Sequence, residues 1–172
     1  MNRTSTMSRR PATAQRDSFP RRAARLALRG PASLTSPAAR WAVTLLAVAG
    51  AGLLVWSGVI HLQLWSEGYR TISVIGPLFL VQGIASIVLA VALVAFRQLV
   101  LLAAGAALAA GTAAGLLLSA GIGLFGYQES LAVPYAETSL VVEFTGAAVL
   151  VVAAVIVLIA SLATRRSHGQ SF

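Results

Sequence analysis

Residues 74–125 read VIGPLFLVQGIASIVLAVALVAFRQLVLLAAGAALAAGTAAGLLLSAGIGLF, and a single charged residue, Arg97, interrupts them. One helix through the whole stretch, at about 1.5 Å per residue, would far exceed the hydrocarbon core of a bilayer, about 30 Å thick. The break at Arg97-Gln98 therefore separates two crossings, residues 74–96 and 99–125, joined by a tight antiparallel hairpin. Two further apolar runs flank this pair, residues 41–65 before it and 140–163 after it. Each is longer than the roughly 18 apolar residues that mark a spanning helix. Backbone in hydrocarbon must satisfy its own hydrogen bonds, which favours helices, and the runs lack the alternation of barrel strands. The expected fold is an all-α membrane protein: an up-down four-helix transmembrane bundle with a disordered N-terminal tail.

Composition agrees. The chain has 172 residues, 58% hydrophobic and 10% charged, with a mean hydropathy of +0.83. Soluble domains hold about 45–50% apolar and about 25% charged residues, so an ordinary water-soluble globule is excluded. Cysteine is absent, which removes disulfides, thiolate metal sites, iron–sulfur clusters and thiol nucleophiles together. Lysine is absent too, so all 13 basic residues are arginine, and the only asparagine is Asn2. Lysine and asparagine codons are AT-rich, so this usage points to a GC-rich bacterial gene.

The formal charge of +8 belongs to one end of the chain. Residues 1–40 hold nine Arg and one Asp, whereas residues 41–172 hold four Arg and four Glu. Prolines 11, 20, 31 and 37 argue against a long helix in this tail. A short one fits between a Ser18 cap with Pro20 in its first turn and a stop at Gly30-Pro31. The chain thus divides into a basic tail (1–40), a transmembrane domain (41–163) and a short basic C-terminal tail (164–172). No folded basic face is present, so nucleic acid is not an expected partner. The expected partners are the lipid bilayer, anionic lipid for the Arg-rich tail, and other membrane proteins or a second copy of this chain. Four crossings put both termini on one side, with twelve Arg on that side and only Arg70 on the other. The positive-inside rule then places both termini in the cytoplasm and the protein in the plasma membrane.

Polar residues of the membrane half gather near the opposite, outer face. His61 lies about one turn inside the end of the first span, Glu143 about one turn inside the start of the fourth, and Gln82 in the outer half of the second. Ser57 shares a helix face with His61. Glu67, Glu129 and Glu137 belong to the outer loops. Ionisable groups in a span are expensive, about 2.5–3.5 kcal/mol at the centre, and are functional candidates by default. His61 and Glu143, with Glu137, form a candidate site for a proton or a divalent metal, with Gln82, Glu67 and Glu129 as its polar surroundings. The structural alternative is an interhelical hydrogen bond between His61 and Glu143, worth about 0.6 kcal/mol. Gly111 and Gly115, within a stripe of Ala107, Gly111, Gly115 and Ser119, are expected to pack helices closely, inside the bundle or along a homodimer seam. Gly121, Gly123 and Gly126 spell GxGxxG, but no strand precedes them, so a dinucleotide site is rejected.

The run His61-x-x-Leu64-Trp65, Gly68-Tyr69-Arg70, Ile75-Gly76, Leu78-Phe79-Leu80 and Gln82 resembles small four-span membrane proteins of actinobacterial type. These carry a similar HLxLW–GYR–IG–LFL–Q pattern and acidic residues before the last span, here Glu129, Glu137 and Glu143. The resemblance covers about residues 55–145, implies a four-span bundle and brings no activity with it. The expected function is a structural or partner-binding role in the membrane, without enzymatic activity or cofactor. The alternative is proton- or metal-linked transport or sensing through the outer His/Glu cluster.

The topology is directly testable, because a cysteine-free chain makes every introduced thiol unique. Arg70→Cys is expected to react with a membrane-impermeant maleimide on intact cells. Ala38→Cys should react only after permeabilisation, and the reverse pattern would invert the assignment.

Overall fold

The computed structural model of the chain describes residues 19–132 and 135–169. They form five α-helices: α1 (Phe19–Ala27), α2 (Pro37–Glu67), α3 (Ile75–Phe96), α4 (Leu99–Ile122) and α5 (Ala136–Gly169). Helices α2 to α5 are each long and apolar enough to cross a membrane. They make the expected four-helix bundle, and no strand is present among the described residues. Connections α2–α3 and α4–α5 carry Glu67, Arg70 and Glu129, and mark a glutamate end. The α3–α4 hairpin and the start of α2 mark an arginine end.

The hairpin is as tight as the sequence demands. Arg97 closes α3 in the left-handed conformation (φ 50°), donating its N–H to Leu93 O at 3.0 Å, and Gln98 already serves as N-cap of α4. A non-glycine residue in this region costs of order 1 kcal/mol, tolerated here because a longer loop would separate the two spans.

Residues 19–40 correct one expectation. The expected disorder does not extend to residue 40, although its part over residues 1–18 lies outside the described residues. Helix α1 occupies the expected stretch before Gly30, and a 3₁₀ turn follows at Pro31–Ser33. Pro31 and Pro37 stand at helix starts, where a missing N–H costs nothing. Ser36 caps α2 by accepting from Ala39 N, so α2 starts before Trp41. Leu34 is buried in the bundle core, and Leu99 N donates to Arg29 O at 2.7 Å. One buried leucine and two caps thus anchor a segment whose composition reads as tail.

The four spans close around a small-residue knot. Leu150 of α5, fully buried, fills hollows at Gly50 of α2 and Gly105 of α4. A Cβ at Gly50 would lie 2.4 Å from the Leu150 side chain, and one at Gly105 would meet Leu150, Leu54 and Leu93. Helix α2 also approaches α3 closely, since a Cβ at Gly58 would stand 2.9 Å from the carbonyl oxygen of Gly83. Contact is extensive between α2 and α3, α2 and α5, and α4 and α5, but sparse between α3 and α4.

Gly111 and Gly115 therefore need correction as packing residues within the bundle. Apart from its chain neighbours and the helix's own backbone, no atom lies within 4 Å of a Cβ built at either one. The reason is geometric: this face of α4 looks into a hollow rather than onto a helix. Two substitutions separate the classes of glycine. Gly58→Ala should destabilise the purified protein by about 1–3 kcal/mol, the range for overpacking, because backbone cannot swing aside. Gly111→Ala should stay within about 0.5 kcal/mol, both read from thermal unfolding in detergent.

Candidate functional site

At the glutamate end the four spans and the α4–α5 connection enclose a cavity of about 370 Å³. That size lies within the roughly 300–1,000 Å³ of small-molecule sites. Its walls come from Ile75, Leu78, Phe79 and Gln82 of α3 and from Ala107 to Ser119 of α4. Its back is formed by His61 of α2 and by Ser139 and Glu143 of α5. Leu78, Ala107 and Gly111 both line the cavity and are exposed, so it opens sideways between α3 and α4. The small-residue stripe of α4 hollows this wall out.

The back wall is a buried polar cluster. Glu143 is 1% exposed and His61 6%. Ser57 and Ser139 both donate to Glu143 Oε1, at 3.3 and 3.0 Å. The Ser139 bond follows from i, i+4 spacing along α5, and the same spacing puts Ser57 on the His61 face of α2, from which it reaches across to Glu143. His61 Nδ1 donates to the carbonyl oxygen of Ser57 at 2.8 Å. That carbonyl can only accept, so the hydrogen sits on Nδ1, and Nε2 faces Glu143 Oε1 at 3.9 Å. The second carboxyl oxygen, Glu143 Oε2, is buried and has no hydrogen-bond partner among the described residues. Such a group costs about 1–3 kcal/mol or more, and Glu143 borders the cavity.

Glu129 closes the roof. It is 8% exposed and accepts from Tyr69 at 2.7 Å, from Tyr127 at 3.3 Å and from Ser130 N at 3.0 Å. Tyr69 stacks on Phe79 at 4.7 Å and meets Tyr127 edge-on at 6.0 Å, while Phe79 in turn touches the His61 ring at 5.1 Å. The local chain path is set by Gly123 (φ 81°) and by a tight turn with Phe125 (φ 52°) and Gly126 (φ 79°) at its centre. Positive φ at both central residues is the type I′ geometry. Two glycines of the GxGxxG run are thus turn makers that carry Tyr127 back over the cavity.

Four of the six expected site residues, His61, Glu143, Gln82 and Glu129, meet at the cavity. The other two do not. Glu137 is exposed in the first turn of α5, and Glu67 is exposed and accepts from Gln63 at 2.8 Å. The expected metal set of His61, Glu143 and Glu137 is therefore corrected to a two-residue pair. No group of three His, Asp or Glu placed for a metal ion exists among the described residues. Helix periodicity sends Glu137 outward, about a third of a turn off the face of Glu143. Tyr69 and Tyr127 were not foreseen; only the fold brings these loops together. A second hollow lies at the arginine end, bordered by Arg40, Trp41, Phe96 and Arg97.

No family model, curated protein or solved structure matches the chain. Fold and site define a small multi-pass membrane protein with an internal cavity that opens to the side.

Burial, reinforced by the Glu129 carboxyl, raises the Tyr69 phenol above the ordinary value of about 10. The folded state holds this proton more tightly than the unfolded chain. Its contribution is complete below pH of about 10 and is lost as pH rises through the folded value. In an absorbance titration, Tyr69→Phe and the parent should show the same phenolate amplitude at pH of about 11; a smaller amplitude in the variant would place Tyr69 among the ordinary phenols.

Proposed function

We propose that this protein is a non-enzymatic binding component of the plasma membrane, with both termini in the cytoplasm. It holds a small, mostly apolar molecule that enters its outer-half cavity from the bilayer. The observation that carries this reading is the combination of a side opening onto lipid with a buried, half-satisfied carboxyl group at the back. An entry between α3 and α4 requires no passage through water. The back wall offers a polar end-stop that an aliphatic void would lack. Its hydroxyls and imidazole N–H are engaged with protein acceptors, an arrangement suited to holding a ligand rather than transforming one.

The arginine end supplies the membrane anchor in this reading. Arg40 and Arg97 border one hollow with the exposed rings of Trp41 and Phe96 beside it, a combination suited to anionic lipid head groups at the inner surface.

Proton-linked transport is the competing reading, and the His61–Glu143 pair favours it. Against it stands the arginine half of the core. Below Ser57 on α2 the buried positions are Leu54, Ala51, Gly50, Ala47 and Val43, with Leu150, Ala153 and Val157 opposite them and Ser161 as the buried polar residue of α5 in that half. A proton path needs polar groups or water through that half.

The test is a photoreactive diazirine-bearing dodecyl chain added to the protein in phosphatidylcholine nanodiscs. Labelled peptides should map to α3 and α4 around Gln82 and Gly111. Gly111→Leu, which fills open space, should reduce that labelling about tenfold while leaving the melting temperature unchanged. Labelling spread evenly over all lipid-facing helix surfaces would end the cavity reading.

A further inference from the structure

Hydrogen-bond donors and acceptors around the cavity are unevenly spent. Thr112 donates to Leu108 O at 2.8 Å, Ser119 to Tyr127 O at 3.4 Å, and Ser139 to Glu143. Tyr127 donates to Glu129, and the His61 Nδ1 hydrogen goes to Ser57 O. Tyr135 alone keeps its hydroxyl hydrogen, and it lies at the exposed rim, accepting from Gln63. The acceptors are not used up in the same way. Glu143 Oε2 is buried without a partner among the described residues and only accepts when the carboxyl is ionised, His61 Nε2 carries no hydrogen when the ring is neutral, and Gln82 gives one N–H to Ser86, keeping its amide oxygen and a second N–H. The charged residues bordering the cavity are two glutamates, Glu129 and Glu143, with no arginine among them.

We propose that the cleft selects ligands whose polar end donates hydrogen bonds: an apolar tail bearing a hydroxyl or an amine, seated with that group against Glu143 Oε2. This deepens the function proposed above and rests on it. A donor-bearing head supplies what the back wall lacks, and the apolar faces of α3 and α4 take the tail. A carboxylate head is disfavoured twice. It brings acceptors to a wall whose unspent groups are mostly acceptors, and negative charge to a region holding two glutamates and no arginine. An ether or ester head satisfies nothing and leaves Oε2 as it stands.

The experiment is competition against the diazirine-bearing dodecyl probe in phosphatidylcholine nanodiscs, using the full chain. The competitors share one tail: dodecanol, dodecylamine, dodecanoate and dodecyl methyl ether. The alcohol and the amine should displace the probe at concentrations at least tenfold below those needed for the acid or the ether. The ratio of alcohol to amine then identifies which donor the site prefers. Glu143→Gln replaces one carboxyl oxygen by an amide donor at nearly constant size. It should weaken amine displacement about tenfold and improve that of dodecanoate. Should Glu143→Gln not fold, Gln82→Met removes a second acceptor at similar volume and should weaken both donor ligands about threefold. Equal displacement by all four competitors, or a preference for dodecanoate, overturns the donor rule while leaving the cavity as a binding site. Absence of cavity labelling by the probe overturns both.

Discussion

The bundle depends on Leu150 seated between two glycines. With Gly50 on one side and Gly105 on the other, this one side chain lets α2, α4 and α5 approach where lipid offers no hydrophobic drive toward association. Leu54 and Leu93 reach the same point, so all four spans meet there. Close packing continues toward the glutamate end between α2 and α3, at Gly58 and Gly83, but not along α4. Toward the glutamate end, α4 presents Gly111 and Gly115 to open space, and the helices no longer touch across it. The cavity is the complement of the knot: glycines that receive a leucine make a core, and glycines that receive nothing make a hollow.

This contrast explains what was legible in the sequence. The four spans, the Arg97-Gln98 turn and the gathering of polar residues at one end follow from length, charge and periodicity, and they stand in the structure. The fate of the glycines does not follow. A stripe of small residues every four positions looks identical whether a neighbour's side chain fills it or not. Gly50 belongs to no such stripe, and Gly105 belongs to a second one, with Ala109 and Ala113, on the buried face of α4. Only the positions of the opposing leucines decide, and those are set by four helices at once.

The site divides along the same line. His61, Ser57, Ser139 and Glu143 come together through i, i+4 spacing on two helices at matching depth, and the depth and the Ser57–His61 face are readable from the chain. Ser139 stands at the same spacing before Glu143 and was equally findable. Glu137 and Glu67 were grouped with them by proximity in sequence, but helix rotation carries both to the surface. Glu129 belongs to an outer loop by sequence, whereas two tyrosines from different connections bury it. No local pattern announces a contact between residues as far apart as Tyr69 and Glu129.

The Arg97-Gln98 hairpin has a mechanical consequence for the opening between α3 and α4. Those two helices are joined there by the shortest possible link, and at their other ends they are bridged by the Tyr69–Glu129 bond, a contact between connections rather than between the helices themselves. The separation of the helices is thus pinned at one extremity and tethered at the other, so its natural mode of change is a pivot about the hairpin. Such a mode widens the slot most at the end far from the hairpin, and it leaves the leucine knot near the fulcrum almost still. Lateral pressure in the surrounding lipid acts on that slot with the full length of two helices as a lever.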